Sequence, residues 1–179
     1  MKFSETEIEG LFIVDIEPLT DDRGLFARTF DSQEFAARGM DVGVAQCNLS
    51  YNELAGTLRG LHRQVPPHAE GKLVRCTAGA IVDVGVDVRP GSATFGRHVM
   101  IELSASNRRA LYLPPYVAHG YQTLVDHTEV SYQVSGPYVP GGEQGFRHDD
   151  PAFGLVWPRE VAMISAKDSS WPLFEGRTQ

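Results

Sequence analysis

Short segments in which apolar and polar residues alternate follow one another along most of the chain. In the clearest of them, IVDVGVDV at positions 81–88, every second residue is a valine, and the residues between are Ile, Asp, Gly and Asp. This period of two is typical of a β-strand with one dry face and one wetter face. Similar segments, among them HVMIEL, RALYLP, VAHGYQTL and EVSYQVSG, are separated by Gly, Pro, Ser and Asn. Many short strands at close spacing predict an all-β fold, either a β-sandwich or a small barrel.

Two local signals refine this prediction. The segment KLVRCTAGAIVDV predicts a β-hairpin that turns at Ala78-Gly79. The segment DSQEFAARG predicts a helix, because Asp31 and Glu34 have the spacing of a capping box and Gly39 is a typical helix stop. The irregular, proline-containing tail after position 150 is expected to wrap around the barrel, with room for a short helix. Since the chain has no repeat, low-complexity tract or linker, we expect one domain over residues 1–179.

The composition narrows the classes of function. The 179 residues are 42% hydrophobic and 22% charged, as in ordinary globular proteins. A net charge of -7 argues against a general nucleic-acid binder, which needs a surplus of Lys and Arg, although a few local cations suffice for one phosphate-bearing ligand. No apolar run approaches the ~20 residues of a membrane helix, and the first ten residues lack the apolar stretch of a secretory signal. We interpret Cys47 and Cys76 as reduced, packed thiols of a cytoplasmic protein.

Ionisable residues are concentrated between positions 56 and 87, inside the predicted strands: Arg59, His62, Arg63, His68, Glu70, Lys72 and Arg75. Taken singly, each has an ordinary structural explanation, such as a strand end or a hydrogen-bonded core histidine. Strand geometry also places Arg59 and His62 on opposite faces, because they are three residues apart. Both can line one cavity only if the strand bends or bulges between them, which Gly60 permits.

Two patterns resemble the cupin family of small β-barrels. One consists of His62, His68 and Glu70, and the other is PPYVAHG, which ends near His119. Metal-binding cupins usually supply a His-x-His pair, but the residue two positions after His62 is Gln64. A ferrous or zinc site needs several converging ligands, and the first pair is broken. We therefore expect neither a metal nor another cofactor, and keep a metal-dependent cupin oxygenase as an alternative.

Eight separated blocks together resemble one particular family. They are DDRGLFARTF, QCNLS, GTLRGLHRQ, EGKLVRCTAGAIVDVGVDVRPGS, LPPYVAHGYQTL, EVSYQVSGPYVP, HDDPAFGLVWP and SAKD, and they extend from about Gly10 to Pro172. Their order and spacing are similar to those of the dTDP-4-dehydrorhamnose 3,5-epimerase family. The resemblance implies a cupin-type jelly-roll β-barrel with short peripheral helices, without a catalytic metal and usually homodimeric. It further implies a nucleotide-diphosphate-linked 4-keto-6-deoxyhexose as substrate, inverted at C3, C5 or both.

The same resemblance assigns roles to individual residues. The general base falls on His62, its orienting carboxylate on Asp168, the acid on the opposite face of the sugar on Tyr132, and the donor to the developing oxyanion on Lys72. His119 falls in the same pocket, and Arg59 at the diphosphate. The contacts to the nucleotide fall on Arg23, Phe26, Gln46, Asn48 and Tyr138, some of them reaching across the dimer.

The chemistry itself requires such a set. A proton beside a ketone is removable only if the enolate oxygen is stabilised, and one preorganised donor contributes roughly 3–4 kcal/mol in other enzymes. A positioned base or acid contributes roughly 10²–10⁴-fold. Imidazole suits the base because its unperturbed pKa is about 6.5, and a carboxylate on its far nitrogen fixes the tautomer. Inversion then needs a proton donor on the opposite face of the ring.

The chain departs from the family pattern at several positions. Where the motif commonly reads Arg-Gly-x-Phe-x-Glu, the acidic position is Arg28, so the nucleotide base stays open. Arg63, Tyr116 and His148 also replace common residues, none of them in a proposed catalytic role. The sequence leaves open whether one carbon or two is inverted. A ketoisomerase and a non-catalytic sugar-nucleotide-binding module are the further alternatives.

Overall fold

Residues 1–41 and 43–174 are described by a computed structural model, which confirms the predicted all-β jelly roll. This part of the chain forms fourteen strands and two short helices. The strands are β1 (Lys2–Glu5), β2 (Phe12–Asp15), β3 (Leu19–Asp21), β4 (Gly24–Phe26), β5 (Gln46–Asn52), β6 (Thr57–Gln64), β7 (Lys72–Ala78), β8 (Ala80–Val86), β9 (His98–Ser104), β10 (Ala110–Leu113), β11 (Ala118–Thr123), β12 (Thr128–Val134), β13 (Glu143–Gly145) and β14 (Met163–Ile164). The helices are α1 (Ser32–Ala36) and α2 (Ala166–Ser169).

Two sheets make up the body of the molecule. The first has the strand order β1-β2-β10-β7-β12-β5, and the second has the order β13-β6-β11-β8-β9, with β14 pairing in parallel with β6. All the other strand pairs in these sheets are antiparallel. The third unit, the β3–β4 pair, is a separate two-stranded hairpin.

The period of two in β8 separates two buried layers. Ile81 points into the main core with Val74, Leu111 and Val130. The alternate residues of β8, including Val84, belong to a second apolar cluster. The same cluster contains five side chains from the C-terminal part of the chain: Phe146, Phe153, Leu155, Trp157 and Phe174. The tail therefore covers the valine face of β8, as predicted, and the aspartate face is turned toward the interior of the barrel.

The predicted hairpin at Ala78-Gly79 is wrong. β7 pairs with β10 and β12 of the first sheet, whereas β8 pairs with β11 and β9 of the second. At Gly79, with φ +75°, the chain turns from one sheet to the other, and a Cβ there would lie 2.4 Å from Oγ1 of Thr128. Alternation identifies strands but not their partners, so a turn between sheets has the same sequence pattern as a hairpin.

The predicted helix is present as α1. The Asp31 side chain caps it by accepting hydrogen bonds from the backbone N–H groups of Gln33 and Glu34. Phe35 is its buried residue and packs against the rings of Phe3 and Phe30. Of the two thiols, Cys76 is packed as expected, whereas Cys47 is exposed on β5. In the ranges 1–41 and 43–174, no helix has the length and apolar character needed to cross a membrane.

Candidate active site

A cavity of about 840 Å³ opens between the two sheets. Its walls come from β5, β7 and β12 of the first sheet, and from β6, β11 and β13 of the second. Helix α2 closes one side. Of the residues predicted for the site, nine line it: Gln46, Asn48, Arg59, His62, Lys72, His119, Tyr132, Tyr138 and Asp168. Since the barrel interior carries this many ionisable groups, it is a candidate site rather than a structural core.

A bulge in β6 brings Arg59 and His62 into the same cavity. His62 faces His119 across the ladder, and Arg59 faces Tyr121, so three steps along β6 oppose two along β11. Gly60, at φ +112°, lies in the bulge, and a Cβ there would be 2.5 Å from the Cα of Gly120. The bend that the sequence required of Gly60 is thus present.

His62 and Asp168 form a hydrogen-bonded pair. The Nε2 of His62 lies 2.6 Å from Oδ1 of Asp168, and the other carboxylate oxygen accepts the backbone N–H of Gly60 at 3.2 Å. Asp168 is held on α2, whose N-terminus is capped by Ser165. Burial opposes ionisation of Asp168, but the hydrogen bond and charge of His62, with the Gly60 N–H, leave its pKa below the ordinary value. An ionised carboxylate on Nε2 leaves Nδ1 as the imidazole nitrogen available to a substrate.

A second carboxylate, Glu143, lies on the other side of the imidazole. Its Oε1 is 3.5 Å from Nδ1 of His62, and its other oxygen contacts the ammonium of Lys167. Glu143 reaches this place because β13 pairs with β6, with Gly145 opposite His62. The sequence prediction missed Glu143, since it lies in the Gly-rich segment PGGEQG, where no periodicity marks the direction of a side chain.

Lys72 enters the cavity from the beginning of β7. Its ammonium forms an ion pair of 2.8 Å with Oε1 of Glu70, and the two side chains are only 17% and 9% exposed. The ordinary structural explanation, a solvated strand end, therefore does not describe Lys72. A mostly desolvated ammonium in a concave site is a strong electrostatic donor toward a developing negative charge.

Tyr132 lies on β12, so it faces His62 from the opposite sheet. Its burial raises the pKa of the phenol, the charge of Arg59 acts in the opposite direction, and the charge of Glu70 raises it further. The hydroxyl is therefore protonated at neutral pH and can donate a proton. The two rings line one cavity from two walls.

His119 has a carboxylate partner of its own. Its Nε2 lies 2.6 Å from Oδ1 of Asp83, a residue with no exposed surface. Among the described residues, Oδ2 of Asp83 has no hydrogen-bond partner. Asp83 belongs to the alternating face of β8 that the sequence marked as the wetter one, and this was the signal that could have identified it.

The remaining predicted contacts lie near the edge of the cavity. Nε of Arg59 donates to Oδ1 of Asn52 at 2.8 Å, which holds the guanidinium at this edge. Oε1 of Gln46 accepts the backbone N–H of Tyr138 at 3.1 Å, which ties β5 to the loop after β12. Tyr138 is half-exposed, as expected for a ring at an opening.

Two predicted contacts are not brought into the cavity of their own chain. Arg23 and Phe26 belong to the β3–β4 hairpin, and neither lines the cavity. Phe26 is 72% exposed, and the guanidinium of Arg23 pairs with Asp21. Arg28 also lies outside, paired with Asp31 at the N-terminus of α1 at 3.1 Å. The presence of Arg28 where the family commonly has an acidic residue therefore does not alter the charge lining the cavity of the same chain.

The place of the second histidine of a metal-binding cupin is taken by Gln64. This residue is buried in the cavity wall, and its Oε1 has no partner among the described residues. Within residues 1–41 and 43–174, no three His, Cys, Asp or Glu side chains are grouped so as to hold a metal ion. The ionisable groups that are grouped in the cavity form pairs, such as His62 with Asp168.

This arrangement supports chemistry at a carbon beside a carbonyl group. An imidazole paired with a carboxylate can remove a proton, and an ammonium can stabilise the resulting enolate. A protonated phenol on the opposite wall can then return a proton to the other face.

Comparison with known proteins agrees with this chemistry. A sequence model of the dTDP-4-dehydrorhamnose 3,5-epimerase family matches residues 5–176. A dTDP-4-dehydrorhamnose 3,5-epimerase from Sinorhizobium fredii is 43% identical over 173 residues, which cover 96% of this chain and 89% of the relative. The crystal structure of the enzyme of that name from Elizabethkingia anophelis superimposes with a TM-score of 0.94 at 34% identity, covering 100% of this chain and 99% of the other. The Legionella pneumophila epimerase, solved in complex with dTDP-4-keto-L-rhamnose, has a TM-score of 0.88 at 34% identity and covers 96% and 92%.

Proposed function

The chain belongs to the dTDP-4-dehydrorhamnose 3,5-epimerase family, and on that premise we propose how its residues carry out the reaction. It is an isomerase that acts on a nucleotide-diphosphate-linked 4-keto-6-deoxyhexose by removing a proton beside the ketone and replacing it on the opposite face. The observation that carries the assignment of roles is the position of His62 and Tyr132 on opposite walls of one cavity.

His62 is the general base. Its Nδ1 takes the proton from the carbon beside the ketone, and the C–H electron pair moves into the enolate. The carboxylate of Asp168 on Nε2 fixes the tautomer and stabilises the imidazolium that forms. A base of this kind is expected to contribute roughly 10²–10⁴-fold to the rate.

Lys72 stabilises the enolate oxygen. The ammonium is held by Glu70 and is mostly shielded from water, so its effect on a developing oxyanion is larger than it would be in solution. One such donor is worth roughly 3–4 kcal/mol of transition-state stabilisation in other enzymes. His119, held by Asp83, lies in the same pocket and contacts the sugar.

Tyr132 completes the inversion. It donates its hydroxyl proton to the carbon from the opposite wall, the C–H bond forms again with inverted configuration, and the enolate returns to the ketone. The tyrosinate and the imidazolium then exchange protons with water. The relatives of this chain are named 3,5-epimerases, which supports the same sequence of steps at C3 and at C5.

The nucleotide is dTDP, bound along the edge of the cavity. The Legionella neighbour, solved with dTDP-4-keto-L-rhamnose, supports this choice. Arg59 contacts the diphosphate, which suits a guanidinium at the cavity wall. Gln46, Asn48 and Tyr138 contact the nucleoside.

The protein is a homodimer in which the β3–β4 hairpin of each subunit reaches the cavity of the other. Support comes from the exposed apolar side chains of this hairpin, Leu19 and Phe26 at 71% and 72%. The edge strand β5 beside the cavity also exposes Leu49 and Tyr51. Neighbouring exposed apolar side chains, such as Leu19 and Phe26 opposite each other in the hairpin, mark interaction sites. This arrangement would bring Arg23 and Phe26 to the nucleotide.

The reaction takes place in the cytoplasm. An exposed free thiol such as that of Cys47 is typical of a reducing compartment. Separation of cell contents into cytoplasmic and envelope fractions, followed by immunoblotting, tests this location.

The experiment that tests the function is incubation with dTDP-4-keto-6-deoxyglucose in deuterium oxide, followed by NMR of the sugar. We expect deuterium at C3 and C5 and inverted configuration at both carbons. A carbonyl moved to C3 would instead identify a ketoisomerase, and binding without exchange would identify a non-catalytic module. The UDP-linked sugar, run in parallel, tests the choice of nucleotide.

A further inference from the structure

Glu70 forms an ion pair inside the cavity that the proposed steps do not explain. Its Oε1 lies 2.8 Å from Nζ of Lys72, and its side chain is only 9% exposed. Removing a carboxylate and an ammonium from water costs free energy that their attraction repays only in part. A pair of this kind is therefore a weak source of stability, and its position beside the reacting groups indicates a role in the reaction.

The backbone around Glu70 is fixed to the end of the strand that carries Tyr132. The N–H of Gly71 donates to Oγ of Ser135 at 2.8 Å, and the N–H of Ser135 donates to the carbonyl of Gly71 at 3.0 Å. The next residue, Gly136, leaves no room for a Cβ, which would lie 2.7 Å from the carbonyl oxygen of Ala69 and 3.3 Å from Cβ of Glu70. Glu70 is thus held between β7, which begins with Lys72, and β12.

The carboxylate of Glu70 therefore lies beside the Lys72 ammonium and in the same cavity as the Tyr132 phenol. Burial is the main reason why the pKa of Tyr132 is raised, Arg59 lowers it, and Glu70 raises it. Other charged or titratable groups that line the cavity are His62 and Arg63 on β6, Lys72 on β7, His119 and Tyr121 on β11, Tyr138 after β12, Glu143 on β13, and Lys167 and Asp168 on α2.

We propose that Glu70 is a positioning residue that aims the Lys72 ammonium at the substrate oxygen and places a negative charge in the cavity that it shares with the Tyr132 phenol. The inference rests on the proposed roles of Lys72 and Tyr132. It links two steps of the reaction, because the carboxylate that holds the donor for the enolate lies in the same cavity as the phenol of the second step.

The test compares Glu70→Gln, which keeps a hydrogen-bond acceptor but removes the charge, with Glu70→Asp, which keeps the charge and shortens the reach. Glu102→Gln, at an exposed position on β9, is the matched control. For Glu70→Gln we expect kcat to fall about tenfold with KM nearly unchanged, since the ion pair that orients the Lys72 ammonium becomes a weaker contact between an ammonium and an amide oxygen. The alkaline limb of the pH profile should move to lower pH. Glu70→Asp should keep the alkaline limb of the wild type while lowering kcat.

A second readout does not depend on turnover. With tyrosine labelled at Cζ with ¹³C and the Tyr132 signal assigned from Tyr132→Phe, the phenol should titrate at lower pH in Glu70→Gln than in the wild type. An unchanged titration together with an unchanged kcat would overturn the proposal. If the wild type turned over no 4-keto nucleotide sugar, the proposed function would fail. The titration of the Tyr132 phenol would still show whether the charge of Glu70 acts on it. If Glu70→Gln did not fold, an unchanged kcat in Glu70→Asp would overturn it.

Discussion

Nε2 of His62 lies 2.6 Å from Oδ1 of Asp168, although 106 residues separate the two in the chain. The tail of the protein delivers the carboxylate. β14 runs parallel to β6, with Ile164 opposite Leu58, and leads directly into α2. Beyond α2, the indole of Trp171 fills the space above Gly145, the residue that faces His62 in the ladder. The pairing of His62 with Asp168 therefore depends on the docking of the tail.

Replacing Asp168 by Asn should slow exchange without unfolding the protein. The amide keeps an acceptor for the Gly60 N–H but does not stabilise an imidazolium on Nε2. We expect the rate of deuterium incorporation to fall about 10²–10⁴-fold, which NMR measures directly. Asp149→Asn, at an exposed ion pair with Arg147, is the control and should retain the wild-type rate. Equal rates in the two variants would remove Asp168 from the mechanism.

Replacing Gly60 by Ala should destabilise the fold and the bulge in β6. The new Cβ would lie 2.5 Å from the Cα of Gly120, and the backbone has φ +112°. Gly91→Ala is the matched control, because that residue also has a positive φ but has no atom within 4 Å of the new Cβ. Urea unfolding should show Gly60→Ala to be less stable than Gly91→Ala by about 1–3 kcal/mol, the cost of overpacking. Similar losses of unfolding free energy in the two variants would mean that β6 can move away from β11 to make room for the new Cβ.

The buried carboxylate of Asp87 should make stability depend on acid pH. It accepts hydrogen bonds from Arg89, Ser92 and Thr94, which together outweigh its burial and hold its pKa well below the ordinary value. A lowered pKa contributes stability that is fully present above the unfolded value of about 3.9 and is lost as the pH falls toward the folded value.

Asp87→Asn should therefore lower the free energy of unfolding by about 3 kcal/mol at pH 7, because Arg89 loses its ionic partner. The difference in unfolding free energy between this variant and the wild type should become smaller below about pH 4, where Asp87 of the unfolded wild-type chain binds a proton. Urea denaturation at pH 7, 4 and 3 measures this, with the exposed Asp22→Asn as control. A difference that stays constant over this range would contradict the assignment.

The exposed hairpin should be part of a dimer interface. Phe26→Ser removes a large apolar ring from the surface and should both weaken the dimer and raise KM, because the hairpin reaches the second cavity. Sedimentation velocity at several concentrations, with kinetics on the same samples, measures both effects. Val156→Ser, at another highly exposed apolar position, should change neither. A monomeric wild type, or a dimer that Phe26→Ser leaves intact, would reject this arrangement.

Sequence patterns were sufficient for the strands and for much of the site. The alternation at 81–88 marks β8, and the capping signal at Asp31 marks α1. Nine of the predicted site residues line one cavity, because the order and spacing of the motifs follow the family. The expectation of a bend at Gly60 came from geometry alone, since Arg59 and His62 could not otherwise share a wall.

Other features depend on contacts between distant parts of the chain, which one sequence does not reveal. Gly79 predicted a hairpin, but strand partners are chosen by the packing of two sheets. Glu143 reaches His62 through the pairing of β13 with β6, and Asp83 reaches His119 across β8 and β11. Arg23 and Phe26 lie outside the cavity of their own chain, so the role that we propose for them requires a second chain.

The most direct test of the two-wall arrangement compares His62→Asn with Tyr132→Phe in deuterium oxide, scoring exchange and inversion separately by NMR. We expect His62→Asn to lose both, whereas Tyr132→Phe should still exchange hydrogen at the carbon beside the ketone but form much less inverted product. Tyr116→Phe, at a partly exposed ring that does not line the cavity, should behave as the wild type. If Tyr132→Phe inverted the sugar at the wild-type rate, the phenol would not be the acid on the opposite wall, and the account would be contradicted.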